Sequence, residues 1–282
     1  MGMSSRENLF GGFLSGLVLQ TILFGVITVQ AFLYYRRFPT DHISLKFAVG
    51  FLWLVQTFQV ITSTVSVRMT FIHHFGVQSS TTVWYDTVYQ ISMVICSTIV
   101  QIYFVFRLYR LVSGSIWLPA LLALLIPAQV GTGFTIWVKA NITHGIESFV
   151  RPTRHLMISW LTLEAVADLM IAFAMSYFLH RRRTGFRQTD TVLRQLIVYA
   201  INTGLLTSVL ALAVMFAFAF YGFHFVHMMF VLPLGGVYTA SLLANLHSRS
   251  RLRAELHSGK NGISIHLSHL PPKIHNQISA MA

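Results

Sequence analysis

The chain has 282 residues, of which 55% are hydrophobic and only 10% are charged. Soluble domains carry about 25% charged residues, so eight acidic and twenty basic side chains are too few to cover a soluble chain of this length. The formal net charge of +12 lies in short segments between long apolar stretches, and this distribution is typical of membrane orientation and not of phosphate-backbone binding. Composition therefore excludes a soluble domain and a nucleic-acid-binding protein, and predicts an integral membrane protein surrounded by membrane lipids.

Seven apolar stretches follow in chain order, each long enough for one crossing of about 20 residues. Five are separated by charged segments and lie at 9–35, 47–67, 87–106, 111–138 and 156–179. The last stretch, 196–246, is about twice the length of one crossing, so it must contain two helices. Gly222 and the polar rings around it predict the break at 221–224.

The positions of Lys and Arg predict the orientation of these helices, because cytosolic segments hold the excess of positive charge. With the N-terminus outside, fifteen basic residues fall on the cytosolic side and five on the outer side. We therefore predict an all-α integral membrane bundle of seven transmembrane helices, with the N-terminus outside and the C-terminus in the cytosol. Which membrane it occupies, plasma membrane or endomembrane, is left open.

Two regions are expected, a seven-helix transmembrane domain at 1–246 and a basic, largely flexible cytosolic tail at 247–282. The acceptor pattern Asn141-Ile142-Thr143 lies in a predicted outer loop at 139–154, so Asn141 is a candidate for N-glycosylation.

Glu164 and Asp168 are two acidic residues inside the fifth predicted span, and they are the most distinctive polar feature of the spans. They are four residues apart on one helix face, and Asp168 falls near the middle of its span. Burying a carboxylate in lipid is costly, so the pair must face the bundle interior and find a partner or a proton. We expect Asp168 to be largely neutral at pH 7 and to receive hydrogen bonds from amides such as Gln101 or Asn202. Both a structural role between helices and a ligand or ion role are open.

Further amides at Gln30, Gln56, Gln59 and Gln90 are expected to form hydrogen bonds between helices. Together with the carboxylates they permit a polar pocket inside an apolar bundle. The candidate ligand-binding residues are Glu164, Asp168, Gln101, Asn202 and His227.

The sequence excludes a retinal protein and an intrachain disulfide, and it gives little support to a zinc site. Retinal proteins need a lysine in the seventh span, and the four lysines all lie elsewhere. A membrane zinc hydrolase needs three histidines and an acid at one point, whereas only His224 and His227 have a spacing that could share a helix face. Cys96 is the only cysteine, so no intrachain disulfide forms. We predict no cofactor and no metal.

Three segments carry a family resemblance: RTGFRQTD at 183–190, YAINTGLLTS at 199–208 and SLLANLHSR at 241–249. They resemble a large family of basidiomycete membrane proteins, the domain-of-unknown-function family 6534. Earlier residues agree, namely Gln30, Tyr34, 38–41, Lys46, Trp53, Gln101 and Arg107, so the likeness covers most of 20–255. Ala240 and His247 depart from it, since the family usually has Asn there. The resemblance implies a seven-span fungal membrane protein of unestablished activity, and it assigns no catalytic residue.

The leading hypothesis for function is receptor-like sensing of a small lipophilic ligand, which rests on the architecture and the possible polar pocket. The alternative is a transporter or proton-coupled carrier that uses Asp168. A membrane-embedded hydrolase is the third hypothesis, so whether the protein is an enzyme stays open, as does its oligomeric state.

Overall fold

The computed structural model describes the backbone at 3–69, 84–111, 117–143, 146–181, 187–221 and 225–268. Within these ranges the side chains are described at 11–69, 84–111, 117–143, 149, 152–181, 198, 204–220 and 227–248. This part of the chain is helical, with seven α-helices and one short 3₁₀ turn at Trp84–Asp86. The helices are α1 Met3–Arg37, α2 Ile43–Arg68, α3 Val88–Leu111, α4 Trp117–Ile142, α5 Ile146–Arg181, α6 Arg187–Tyr221 and α7 Phe225–Ser268.

The seven helices form a closed ring in which each helix packs against its neighbours in sequence and α7 packs back onto α1. Helix α3 also contacts α5 and α7, which places it towards the middle of the bundle. Burial follows this arrangement, since 72% of the most apolar window of α7 is buried, against 22% for that of α1. The core between α3, α5, α6 and α7 is therefore the best shielded part of the molecule.

Six helices in the described part of the chain are long and apolar enough to cross a membrane. Helix α6 contributes a shorter apolar stretch, Gly204–Phe220, within the residues whose side chains are described. Large apolar side chains point away from the bundle on several helices, including Ile22, Leu124, Phe173 and Phe220. A soluble protein rarely exposes so much apolar surface, whereas lipid solvates it. The fold is that of a multi-pass membrane protein.

Most of the break predicted at 221–224 lies outside the described residues, and on its two sides α6 ends at Tyr221 and α7 begins at Phe225. One predicted boundary is wrong. The segment 139–154 was expected to be a loop, but α4 continues to Ile142 and α5 begins at Ile146, so most of it is helical. Beyond His247, α7 continues as a helix to Ser268, and the flexibility of the tail at 247–282 stays a prediction. Polar residues beyond the apolar window extend these helices because a helix satisfies its own backbone hydrogen bonds.

Small residues and amides join the helices. A methyl group added to Gly16 on α1 would lie 2.7 Å from the carbonyl oxygen of Met228 on α7, so glycine permits this close approach. Gln59 on α2 donates a 2.9 Å hydrogen bond to the carbonyl oxygen of Leu232 on α7. Gln56 on the same helix donates to the sulfur of Cys96 on α3 at 3.2 Å. Both amides therefore form the interhelical hydrogen bonds that the sequence predicts.

Candidate functional site

Asp168 lies in the core of the bundle at the meeting point of three helices. Its side chain is 5% exposed and receives hydrogen bonds from two sides. Gln101 on α3 donates from Nε2 to Asp168 Oδ1 at 3.1 Å, and Tyr238 on α7 donates from its hydroxyl to Asp168 Oδ2 at 2.6 Å. The carboxyl of α5 thus links α3 to α7. We call Gln101, Glu164, Asp168 and Tyr238 the acidic centre.

Glu164 lies one helical turn before Asp168 and has no exposed surface. Ser97 and Tyr238 are its polar neighbours. Neither carboxylate oxygen of Glu164 has a hydrogen-bond partner among the described residues. The two acids thus differ, because Asp168 accepts two hydrogen bonds of regular geometry and Glu164 accepts none.

Helix α6 approaches the acidic centre closely at Gly204. A methyl group added to Gly204 would lie 2.5 Å from the Cβ atom of Ala172 and 3.5 Å from the carbonyl oxygen of Asp168. One turn later on α6, the hydroxyl of Thr207 also interacts with the Asp168 carboxyl. The close packing of α5 on α6 therefore brings a fourth helix to Asp168.

A small cavity begins at the acidic centre and is lined by α3, α5, α6 and α7. Its volume of about 20 Å³ is enough for one water molecule. Small-molecule sites usually measure roughly 300–1,000 Å³, so the described form is closed to a ligand of that size. Most of the lining is apolar, and the polar groups lie around Asp168. The lining residues are Val100, Gln101, Phe104, Asp168, Ile171, Ala172, Met175, Gly204, Thr207, Tyr238 and Ser241.

A second polar link joins α3 to α7 nearer to the Arg181 end of the bundle. The guanidinium of Arg107 donates from Nη1 to Asn245 Oδ1, and Asn245 is fully buried. Arg107 follows Gln101 by six residues and Asn245 follows Tyr238 by seven, so this link lies about 10 Å from the acidic centre along both helices. Two polar links at matching heights hold α3 beside α7.

The structure brings together three of the five candidate ligand-binding residues, Gln101, Glu164 and Asp168. His227 is buried elsewhere. Its Nδ1 lies 3.3 Å from the carbonyl oxygen of Val214, and eleven residues, about 16 Å of helix, separate it from Tyr238. The helix that carries Asn202 is described, but its side chain lies outside the described residues. Ligand binding by any of these residues stays a prediction.

Asn141, the candidate for N-glycosylation, lies in the last turn of α4. Its amide nitrogen donates to the hydroxyl of Thr87 at 3.1 Å and to the carbonyl oxygen of Trp137 at 2.8 Å. The amide that would carry a glycan therefore ties α4 to the start of α3 in this structure. Glycosylation of Asn141 stays a prediction.

Tyr238 and Thr207 belong to the site, but the sequence does not identify them as site residues. A tyrosine or a threonine in an apolar span carries no strong signal, because either can satisfy its hydroxyl locally. The one sequence feature that could have pointed to Thr207 is the YAINTGLLTS segment, which contains both Gly204 and Thr207. In the described part of the chain, no group of three His, Cys, Asp or Glu residues is placed to hold a metal ion.

Comparison with known families gives one match, at residues 164–251, to the model of a family of unknown function, DUF6534. Searches among curated proteins and among solved structures give no match. The matched segment begins at Glu164 and includes Asp168, Gly204, Thr207 and Tyr238, which is most of the polar surroundings of Asp168. The chain therefore carries the DUF6534 domain at residues 164–251.

Proposed function

We propose that this protein is a receptor-like membrane protein with seven spans, an outer N-terminus and a cytosolic C-terminus, which responds to a small lipophilic ligand. The observation that carries the proposal is the cavity that leads to Asp168. Apolar side chains form most of its wall, and the hydrogen-bonded carboxyl of Asp168 is among its few polar lining groups. Small-molecule sites share this composition, an apolar lining with a few oriented polar groups.

The position of the cavity favours a signalling role. A ligand larger than water has to enlarge the cavity, and its walls belong to α3, α5, α6 and α7. Binding is therefore coupled to a change in helix packing, because a ligand favours the conformation to which it binds more tightly. The links from Gln101 and Tyr238 to Asp168 are the contacts that such a change would rearrange. A polar donor on the ligand would find its acceptor in the Asp168 carboxyl.

The positive charge of the segments between spans supports the orientation. With the N-terminus outside, fifteen of the twenty Lys and Arg residues lie on the cytosolic side, as the positive-inside rule requires. The ends of α1, α3 and α5 that carry Arg37, Arg110 and Arg181 would then face the cytosol.

The test is retention of a lipophilic molecule by protein purified from its native membrane, measured by extraction and mass spectrometry. Val100→Phe fills the cavity from α3, since Val100 lines it and is 3% exposed. Ile102→Phe is the matched control on the same helix, because Ile102 points away from the bundle and is 54% exposed. We expect Val100→Phe to lower the retained amount at least tenfold and Ile102→Phe to leave it unchanged. Equal retention by both variants, or no retained molecule in the wild-type protein, would overturn the proposal.

A proton-coupled carrier that uses Asp168 is the second candidate, and the observation that favours it is the buried pair of carboxyls of Asp168 and Glu164. Intramembrane acids of this kind often mark proton pathways. Proton movement into proteoliposomes that contain a pH-sensitive dye distinguishes a carrier from a receptor. If the protein is a carrier, the wild-type protein moves protons across the membrane and Asp168→Asn abolishes this movement. If it is a receptor, the wild-type protein and the variant show the same slow proton leak.

A further inference from the structure

Glu164 is surrounded by groups that give their hydrogens to other acceptors. The hydroxyl of Tyr238 donates to Asp168 at 2.6 Å. The hydroxyl of Ser97 donates to the carbonyl oxygen of Val94 at 3.3 Å and is itself approached by Gln129 Nε2 at 3.4 Å. Both hydroxyls also interact with Glu164, but neither carboxylate oxygen of Glu164 accepts a hydrogen bond of regular geometry.

Two glutamines add further unpartnered acceptors to this region. Gln101 uses its amide nitrogen on Asp168 and Gln129 uses its own on Ser97, while the Oε1 atom of each is buried without a partner. The one unpartnered donor close by in sequence is the indole nitrogen of Trp160, one turn before Glu164, and it lies against Gly133. Four buried acceptor oxygens therefore accept no hydrogen bond of regular geometry, and a buried acceptor that is poorly satisfied is costly.

The described helices around Glu164 supply no compensating charge. The titratable groups that interact with it are Asp168 on α5 and Tyr238 on α7. On α3, Arg107 is occupied with Asn245 and the Cys96 sulfur accepts from Gln56. Lys139 lies at the far end of α4, and Gly204–Phe220 of α6 contains no titratable residue.

We infer that Glu164 is the anionic ligand of a buried cation-binding site, completed by the amide oxygens of Gln101 and Gln129. The occupant is a small cation, either a proton bound by the Glu164 carboxylate or a monovalent metal ion held by the acceptor oxygens. Both supply the positive charge that these oxygens lack. The site is separate from the apolar cavity, which Glu164 does not line, and it does not depend on a lipophilic ligand.

The experiment measures thermal unfolding of the full chain in lipid nanodiscs, with no lipophilic ligand added. Unfolding is compared between equal concentrations of NaCl and N-methylglucamine chloride, over a pH range from 5 to 9. A metal-ion site raises the unfolding temperature in NaCl alone, because a cation that binds only the folded chain stabilises it. A proton site gives the same curve in both salts, with stability highest at low pH and falling as pH rises, because folding must then take up a proton that the unfolded carboxyl has already released.

The wild-type unfolding temperature should depend on sodium or on pH, and Glu164→Gln should abolish that dependence. Asp41→Asn is the matched control, since Asp41 lies in the turn between α1 and α2 and not in the core, and it should keep that dependence. If Glu164→Gln does not fold, Gln129→Leu removes one acceptor oxygen and should weaken the sodium effect or move the pH dependence to lower pH. The inference is overturned if the wild-type protein responds to neither cation, or if the Glu164 and Gln129 variants respond as the wild type does.

Discussion

The Tyr238 hydroxyl donates a 2.6 Å hydrogen bond to Asp168 Oδ2, which joins α7 to α5 in the middle of the bundle. Tyr238→Phe removes this donor and leaves a carboxylate oxygen buried without it. We expect a loss of about 1–3 kcal/mol in the free energy of unfolding, the usual cost of leaving a buried acceptor without its hydrogen bond. Tyr177→Phe is the control, because Tyr177 is exposed on α5, and it should change stability by less than about 0.5 kcal/mol. Equal stability of the two variants in a denaturant titration would contradict this role.

Asp168→Asn separates a structural role of this residue from a ligand role. Asparagine keeps the shape of the side chain, and its amide can donate to Gln101 Oε1, which has no partner in the wild-type protein. We therefore expect the variant to fold, with a change in unfolding free energy of about 1 kcal/mol. If the carboxyl receives a donor from the ligand, retention of the lipophilic molecule should nevertheless fall. Unchanged retention would show that Asp168 serves the packing of the helices alone.

The sequence predicts the inward face of α5 but not the full polar surroundings of Asp168. Glu164 and Asp168 are four residues apart, so they must share a face, and the cost of burying them in lipid requires that face to point inward. Gln101 was a predicted partner and is one in the structure. Tyr238 could not be identified as a partner, because this depends on the rotation of α7 about its axis, which residue spacing within one helix does not fix.

The sequence also could not predict that Glu164 and Asp168 differ in their hydrogen bonds. Both were expected to need a partner or a proton, with Asp168 as the neutral one. The structure gives Asp168 two hydrogen bonds of regular geometry within 3.1 Å and gives Glu164 none. Which carboxyl receives the donors depends on the heights of α3 and α7 relative to α5. These heights follow from packing the whole bundle and not from any local pattern.

Gly204 on α6 is expected to tolerate no larger side chain without a shift of the helices. Gly204→Ala places a methyl group 2.5 Å from the Cβ atom of Ala172, so α5 and α6 must move apart beside Asp168. We expect a loss of about 1–3 kcal/mol, the usual cost of overpacking a core. Gly131→Ala is the matched control, because nothing lies within 4 Å of the added methyl group, and it should be neutral or slightly stabilising. Thermal unfolding of both variants provides the measurement, and similar midpoints would contradict the close α5–α6 contact.

The proposed orientation can be tested with two introduced cysteines. Thr40 lies exposed in the turn between α1 and α2, and Ile142 is exposed at the end of α4. We expect an impermeant maleimide added to intact cells to label Ile142→Cys and to label Thr40→Cys only after permeabilisation. Cys96 is buried and does not compete for the reagent. The reverse pattern of labelling would place the N-terminus in the cytosol.

A density map of the protein, extracted from its native membrane without added ligand, tests most directly whether the cavity binds a lipophilic molecule. We expect density for a small non-protein molecule in an enlarged cavity between α3, α5, α6 and α7. That molecule should contact Val100 and Phe104 along its apolar part and Asp168 at its polar end. A map in which the cavity keeps the volume of one water molecule, with any bound molecule elsewhere on the bundle, would contradict the proposed ligand site.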